Sequence, residues 1–344
     1  MRVAQLFEPR RFRMVDGEVS LPGPGEIQVR VQAVGICGSD THSFLEGGIG
    51  DVRCEYPVVL GHEPTGVVVR TGSGVTGWAP GDRAALEPAV YCYHCEFCRS
   101  GRYNICERIR FLSTPPDPGF FREYLNLPAA NLLPLSPGLS FQYATLFEPL
   151  AVVLHSLKFA AVQPLESAAV LGAGPIGLMT VILLKMCGAG RVFSVEPVAH
   201  RREMARASGA DVVIDPAEVD ASKVILSETG GRGVDLAIDC AARGDSLANC
   251  IKATRNGGRM VVTGIPVQVC VSLDWHVARR KELAIFNVRR SNHESEAALT
   301  LLGEHASRFA PIVTHSLPLD RVQFAFDTLE SYSDGAGKVV LTPR

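Results

Sequence analysis

Apolar positions follow two different patterns along the chain. Up to about residue 145 they come in short alternating runs, as in Glu26-Ile27-Gln28-Val29-Arg30-Val31 and Thr65-Gly66-Val67-Val68-Val69-Arg70. Period-two alternation predicts half-buried strands, and turn signals such as Pro22-Gly23-Pro24-Gly25 and Pro80-Gly81-Asp82 separate them. This part is expected to be β-rich and irregular. After about residue 150 the runs become continuous. Ser167–Gly172 predicts a buried strand, Pro175 to about Cys187 a helix, and Arg191–Glu196 a second strand. A helix over about His200–Ala207 and strands at Asp211–Ile214, Val234–Asp239 and Arg259–Gly264 come next. Strands alternating with helices imply βαβ units and a parallel sheet. From about residue 310 the pattern is β-like again and ends in Lys338-Val339-Val340-Leu341, so the tail is expected to rejoin the first part. The chain has no internal repeat and no low-complexity tract.

Length and composition add limits. A chain of 344 residues with 47% hydrophobic residues suits two domains of ordinary size. A net charge of -2 gives no reason to expect a nucleic-acid partner. The clusters Arg201-Arg202, Arg279-Arg280-Lys281 and Arg289-Arg290 are short enough to be solvated or locally paired. The first residues, MRVAQLFEPRRFRM, lack a signal-peptide core, and no apolar run has the length of a membrane span. A cytoplasmic location is expected. Disulfides are disfavoured there, so the 10 cysteines need another account. Cys54, Cys187, Cys240, Cys250 and Cys270 lack ligand spacing and read as buried, small apolar residues; His155 reads as core.

Three constellations carry chemistry. Gly172-Ala173-Gly174-Pro175-Ile176-Gly177 fits G-x-G-x-x-G between a strand and a helix. There the glycines make the turn, admit a pyrophosphate and let the helix pack close, while the helix N-terminus offers free N–H groups. Glu196 ends the next strand, where a carboxylate bonds ribose hydroxyls and repels a 2′-phosphate, favouring NAD; Arg201 borders the same region. Cys92, Cys95, Cys98 and Cys106 read C-x2-C-x2-C-x7-C, a spacing that closes a four-thiolate structural zinc site. An iron–sulfur cluster is the rival occupant, and His94 inside the loop is read as a bystander. Finally, Cys37 in Gly35-Ile36-Cys37-Gly38-Ser39-Asp40-Thr41-His42 and His62-Glu63 in Gly61-His62-Glu63-Pro64-Thr65-Gly66 supply the donors of an open, catalytic zinc. Glu148, in Leu146-Phe147-Glu148-Pro149-Leu150, is a further ligand or holds a water on the metal.

G-H-E-x-x-G, the C-G-S-D-x-H segment, the four-cysteine lobe and GAGPIG, in that order over nearly the whole chain, resemble the zinc-containing medium-chain dehydrogenase/reductase superfamily. Arg110-Phe111-Leu112-Ser113-Thr114-Pro115-Pro116 and Phe147-Glu148-Pro149-Leu150 resemble its sorbitol (polyol) dehydrogenase branch. The resemblance implies an α/β protein: a GroES-like β-rich catalytic domain over 1–147 with a C-terminal return over 288–344, and a Rossmann doubly wound NAD-binding domain over 148–287. It implies zinc held by Cys37, His62, Glu63 and a water, with Glu148 near or on the metal. It also implies hydride transfer between a secondary alcohol and NAD, and a dimer or tetramer. Ser39 and His42 are spaced to pass the alcohol's proton outward, and Asp40 is a partner for His62 or a turn cap. The chain departs from the branch at Ser43-Phe44 and at Val288-Arg289-Arg290, where the branch carries aromatic residues after the histidine and Phe-Arg-Tyr. Phe44, Arg289 and Arg290 are therefore candidate substrate residues, the arginines for an acidic substituent. L-Threonine and sugar-acid dehydrogenases of the same superfamily are the rival activities, and a non-catalytic binding protein of this fold is the rival class.

Overall fold

A computed structural model describes residues 1–343. Contacts divide the chain into two compact units, Met1–Ala151 with the chain from Asn292 onward, and Val152–Ser291. The first division falls inside the helix Phe147–Ala160, four residues beyond the position expected from the sequence.

The first unit is built on a seven-stranded sheet. Its order is Leu132–Pro134, Arg83–Leu86, Glu63–Thr71, Glu26–Gly35, Lys338–Thr342 and Val313–Pro318, with Tyr124–Pro128 also pairing Glu26–Gly35. Ile27, Val29 and Val31 alternate along the longest strand and enter one core with Leu6, Leu60, Phe121 and Phe326. The strand register gathers residues at one end of this sheet. Gly35 lies opposite Glu63 on one side and Val340 on the other. Three segments distant in sequence thus end side by side. A Cβ on Gly35 would stand 2.0 Å from Glu63 Oε2, so only glycine lets that carboxylate lie where it does.

The second unit is a six-stranded parallel sheet. Its strands are Ala168–Leu171 (β1), Val192–Val195 (β2), Val212–Ile214 (β3), Val234–Asp239 (β4), Thr254–Val262 (β5) and Ala284–Asn287 (β6). The order is β3-β2-β1-β4-β5-β6. Ala169 and Leu171 pack into one core, Ala168 and Val170 into another on the opposite face. Both faces are covered, which is why these strands are continuously apolar instead of alternating. The chain order reverses between β1 and β4, the place where open α/β sheets bind dinucleotides.

Among the described residues no helix is long and apolar enough to cross a membrane. All ten cysteines are free thiols. Of the five expected to be buried, Cys250 is buried and Cys54 and Cys240 are half-buried, while Cys187 and Cys270 correct the expectation and are exposed. Cys187 caps the helix Pro175–Met186 and so falls off its buried face. Cys270 lies outside any helix or strand, in the segment before the helix Trp275–Arg280. His155 is buried, its ring 5.2 Å from that of Phe159.

Candidate functional site

The helix Gly38–Glu46 starts at Cys37, and Asp40 explains the geometry of that start. Asp40 Oδ2 accepts a hydrogen bond from the Cys37 backbone N–H at 3.0 Å, closing the first turn. Its other oxygen, Oδ1, accepts one from the Gly61 N–H at 3.1 Å. One buried carboxylate therefore ties the Cys37 turn to the residue before His62. The His62 ring completes the arrangement, with Nδ1 3.4 Å from Asp40 Oδ1 and Nε2 3.4 Å from Ser39 Oγ. Both distances are long for hydrogen bonds. Among buried side-chain atoms, His62 Nδ1 has no hydrogen-bond partner. Burial disfavours charge on both residues, but Asp40 and Cys37 outweigh it at His62 and hold its pKa well above the ordinary value. At Asp40, burial is likewise outweighed by His62 and by the N–H groups of Cys37 and Gly61, and its pKa is lowered. Asp40 thus serves in both of the roles weighed from sequence, as helix cap and as neighbour of the imidazole.

Glu63 begins its strand beside this pair. Donor atoms of Cys37, His62 and Glu63 all lie within 4.8 Å of one another. Both Glu63 oxygens accept hydrogen bonds from Lys338 Nζ, each at 2.7 Å, and Nζ also donates to Ile36 O at 3.0 Å. Lys338 was not singled out from the sequence. Its signal was present: a lone lysine heading the apolar run Val339-Val340-Leu341. Burial opposes its charge, but Glu63 and Cys37 prevail and raise its pKa. A carboxylate has about four acceptor positions, so Lys338 does not exhaust Glu63. Glu148 lies outside the 4.8 Å group. It is buried in the first turn of its helix, and burial pushes its pKa up to about 7, with Glu63 and Glu87 adding to the effect against His62 and Lys338. The Cys37 thiol and the Glu63 and Glu148 carboxylates all act on Lys338, and the donor set Cys37, His62 and Glu63 fits a divalent cation of zinc's kind.

The four-cysteine lobe is separate in design. Its sulfur atoms also lie within 4.8 Å of one another. Cys92–Cys98 and Cys95–Cys106 separations are 3.9 Å, and Cys92–Cys106 is 3.5 Å. Four thiolates around one zinc at about 2.3 Å stand about 3.8 Å apart by tetrahedral geometry, whereas a disulfide needs about 2.05 Å. The lobe fits a single ion. It is too tight for a cluster whose cysteines ligate separate irons. Amides of Cys98 and Glu107 help draw the Cys95 thiol down to about 6, while burial and neighbouring sulfurs push Cys98 up to about 12. His94 turns away, bonding Cys92 O at 2.6 Å and the Arg108 guanidinium at 3.1 Å.

In the second unit, Gly172 follows β1 with φ +97° and Gly174 caps the helix Pro175–Met186, with Pro175 and Ile176 in its first turn. A Cβ on Gly177 would stand 1.9 Å from Gly172 O, which is the close approach expected of the third glycine. Glu196 follows β2 and is buried. Its Oε2 accepts from Ala173 N at 2.7 Å and its Oε1 from Val198 N at 3.0 Å, so the carboxylate is fixed against the glycine turn. Arg201 approaches the same turn: its Nη1 is 4.0 Å from where a Gly174 Cβ would be.

Ser39 is half-buried and His42 buried on the same helix, three positions apart and hence on one face. Phe44 is buried, its ring centroid 5.8 Å from Phe12 and 5.0 Å from Phe326. Its position on the inner face of the helix puts it in an aromatic core instead of at an open surface. Arg289 is exposed and Arg290 half-buried, just after β6. Phe111, which the residues alone did not single out, lays its ring 5.3 Å from that of His62.

Residues 23–137 match the family described as alcohol dehydrogenase GroES-like domain, and residues 175–304 match zinc-binding dehydrogenase. A sorbitol dehydrogenase of Gallus gallus is 37% identical over 92% of this chain and 90% of its own. An Escherichia coli oxidoreductase/dehydrogenase of unknown specificity superposes with a TM-score of 0.91 at 31% identity, over 100% of this chain and 99% of the other. An E. coli CFT073 protein described as a short chain alcohol dehydrogenase, solved with NADH, superposes with a TM-score of 0.89 at 28% identity over 99% of each chain.

Proposed function

The chain belongs to the zinc-binding dehydrogenases with a GroES-like domain, and on that premise we propose that it oxidises a secondary hydroxyl of a polyol, with NAD as acceptor. The observation that carries this reading is the second donor group. Beside a closed four-thiolate lobe stands a Cys37–His62–Glu63 group with fewer ligands than a tetrahedral ion needs. That is the difference between a structural and a catalytic zinc site.

In this proposal Cys37, His62 and Glu63 hold the catalytic zinc, with Glu148 beside it, and the four-cysteine lobe holds a second. When bound, zinc supplies Lewis-acid polarisation of the alcohol oxygen, and NAD supplies the hydride acceptor. The chain's own residues do the rest. Lys338 holds Glu63 in place through both carboxylate oxygens. Phe111 packs its ring against the imidazole at a tilt. Ser39, at the edge of the donor group, accepts the substrate proton and passes it to His42 on the same helix face. Glu148, buried at the start of its helix, is a second carboxylate available to the proton pathway. Glu196, held against the glycine turn, favours ribose hydroxyls over a 2′-phosphate.

The polyol preference is taken from the sorbitol dehydrogenase relative. It is tested by following NADH formation with hexitols, pentitols, inositols, aldonates and L-threonine. Hexitols or pentitols should lead, with NAD ahead of NADP by about tenfold or more, which corresponds to one unfavourable charge contact. Reaction confined to aldonates or to L-threonine would transfer the chain to one of the rival activities.

We further propose a cytoplasmic homo-oligomer. Ten free thiols suit a reducing compartment. Ile265, Val269, Val271, Leu273 and Trp275 are exposed at 46, 69, 42, 37 and 62% within one short segment of the second unit. An apolar stripe of that kind is costly on a monomer. Val269→Asp should lower the mass seen by sedimentation from oligomer to monomer. A wild-type chain that is already monomeric at micromolar concentration rules the oligomer out.

A further inference from the structure

Ser113 stands in a conformation that disfavours serine. Its φ is +94°, in the left-handed region that favours glycine. It is nonetheless buried, on the loop that runs from Arg110 to Asp117. That loop is closed on itself. Ser113 N donates to Asp117 O at 3.0 Å, Asp117 N to Thr114 O at 2.9 Å and Thr114 N to Phe111 O at 2.9 Å. The Arg110 guanidinium grips the Asp117 carboxylate, with Nε 3.0 Å from Oδ1. Leu112 N is bonded to Pro88 O at 3.0 Å, which fixes the loop to its surroundings. The turn so made aims one polar atom inward: Ser113 Oγ donates to Asp40 Oδ1 at 3.2 Å.

Asp40 Oδ1 is the oxygen that also faces Gly61 N and His62 Nδ1. Removing the hydroxyl leaves a wholly buried carboxylate oxygen with one donor fewer, free to turn away from the imidazole. Glycine would remove the backbone cost at this position but cannot supply the hydroxyl. We propose that Ser113 is a positioning residue, whose hydroxyl locks Asp40 and, through Asp40, orients His62 as a zinc ligand. The Arg110–Asp117 loop then does two things at the metal centre: Phe111 packs against the His62 ring, and Ser113 fixes its acidic neighbour. This inference rests on the zinc assignment proposed for Cys37 and His62.

The test compares the zinc-loaded full chain with its Ser113→Gly and Ser113→Ala variants. Zinc transfer to a chromogenic chelator is followed in time, and the visible spectrum of the cobalt-substituted protein is recorded. Ser113→Gly should melt above Ser113→Ala, because both lack the hydroxyl but only glycine relieves the backbone strain. One of its two zinc ions should nevertheless leave roughly tenfold faster, the lower end for loss of a group that orients a ligand, with an altered cobalt spectrum. The slower ion, in the four-cysteine lobe, is the internal control. Ser113→Ala should show the same fast release at its lower melting temperature. Wild-type release and spectrum in Ser113→Gly overturn the inference while leaving the zinc assignment in place. A wild-type chain that holds zinc only at the four cysteines overturns both.

Discussion

Cys37→Ser is expected to lower kcat/KM for the preferred alcohol by about a thousandfold and to reduce the zinc content from two ions per chain to one. A serine hydroxyl is not ionised near neutral pH and is a poor zinc ligand, whereas a thiolate is a strong one. What is lost with the ion is its charge stabilisation of the reacting oxygen, worth several kcal/mol. About 4 kcal/mol corresponds to about a thousandfold in rate. The fold should survive. Cys37 precedes its helix, and Asp40 caps the turn through the backbone N–H of residue 37, a group that serine also has. Thermal melting of the variant should therefore stay close to that of wild-type protein stripped of the same ion, while activity collapses. Steady-state kinetics with metal analysis checks the pair of outcomes, and near-normal turnover by this variant excludes Cys37 as a ligand.

The second large effect is on structure. Cys98→Ser should remove the other zinc and open the segment 92–106. Cys95, Cys98 and Cys106 form a small buried cluster whose other apolar neighbours, Tyr91, Phe97, Tyr103 and Ile109, are only partly buried. Such a cluster is too small to stay folded by apolar burial alone. Zinc contributes about 10 kcal/mol or more to comparable structural sites, and that contribution is lost when the shell is incomplete. Limited proteolysis should cut the variant within 92–106 under conditions where the wild type is resistant. The zinc at Cys37 and His62 should remain. If Cys98→Ser keeps both ions and resists the protease, the lobe is not a metal site.

How far the sequence could be read depended on how local each signal is. The strand–glycine–helix passage from Ala168 to Met186 is written in adjacent residues, so its pattern alone predicts a parallel βαβ unit. The four cysteines lie within one short loop, and their spacing announces a shared ligand before any tertiary structure is known. Lys338 is the opposite case. Its partner Glu63 is 275 residues away, and only the pairing of both segments with Glu26–Gly35 brings them together. No periodicity can state that. Ser113 is hidden for a different reason, since neither its φ nor the aim of its hydroxyl is encoded by residue type. Phe44 shows the limit of reading by position: a residue two places after a candidate relay histidine faces inward simply because the helix turns by about 100° per residue.

The most direct measurement is anomalous scattering at the zinc edge from crystals of the purified chain. Two peaks are expected, one enclosed by Cys92, Cys95, Cys98 and Cys106, the other bonded to Cys37 Sγ and a His62 ring nitrogen with one coordination position left to solvent or alcohol. A single peak among the four cysteines, with His62 and Cys37 bare at full zinc loading, would contradict a catalytic zinc in this chain.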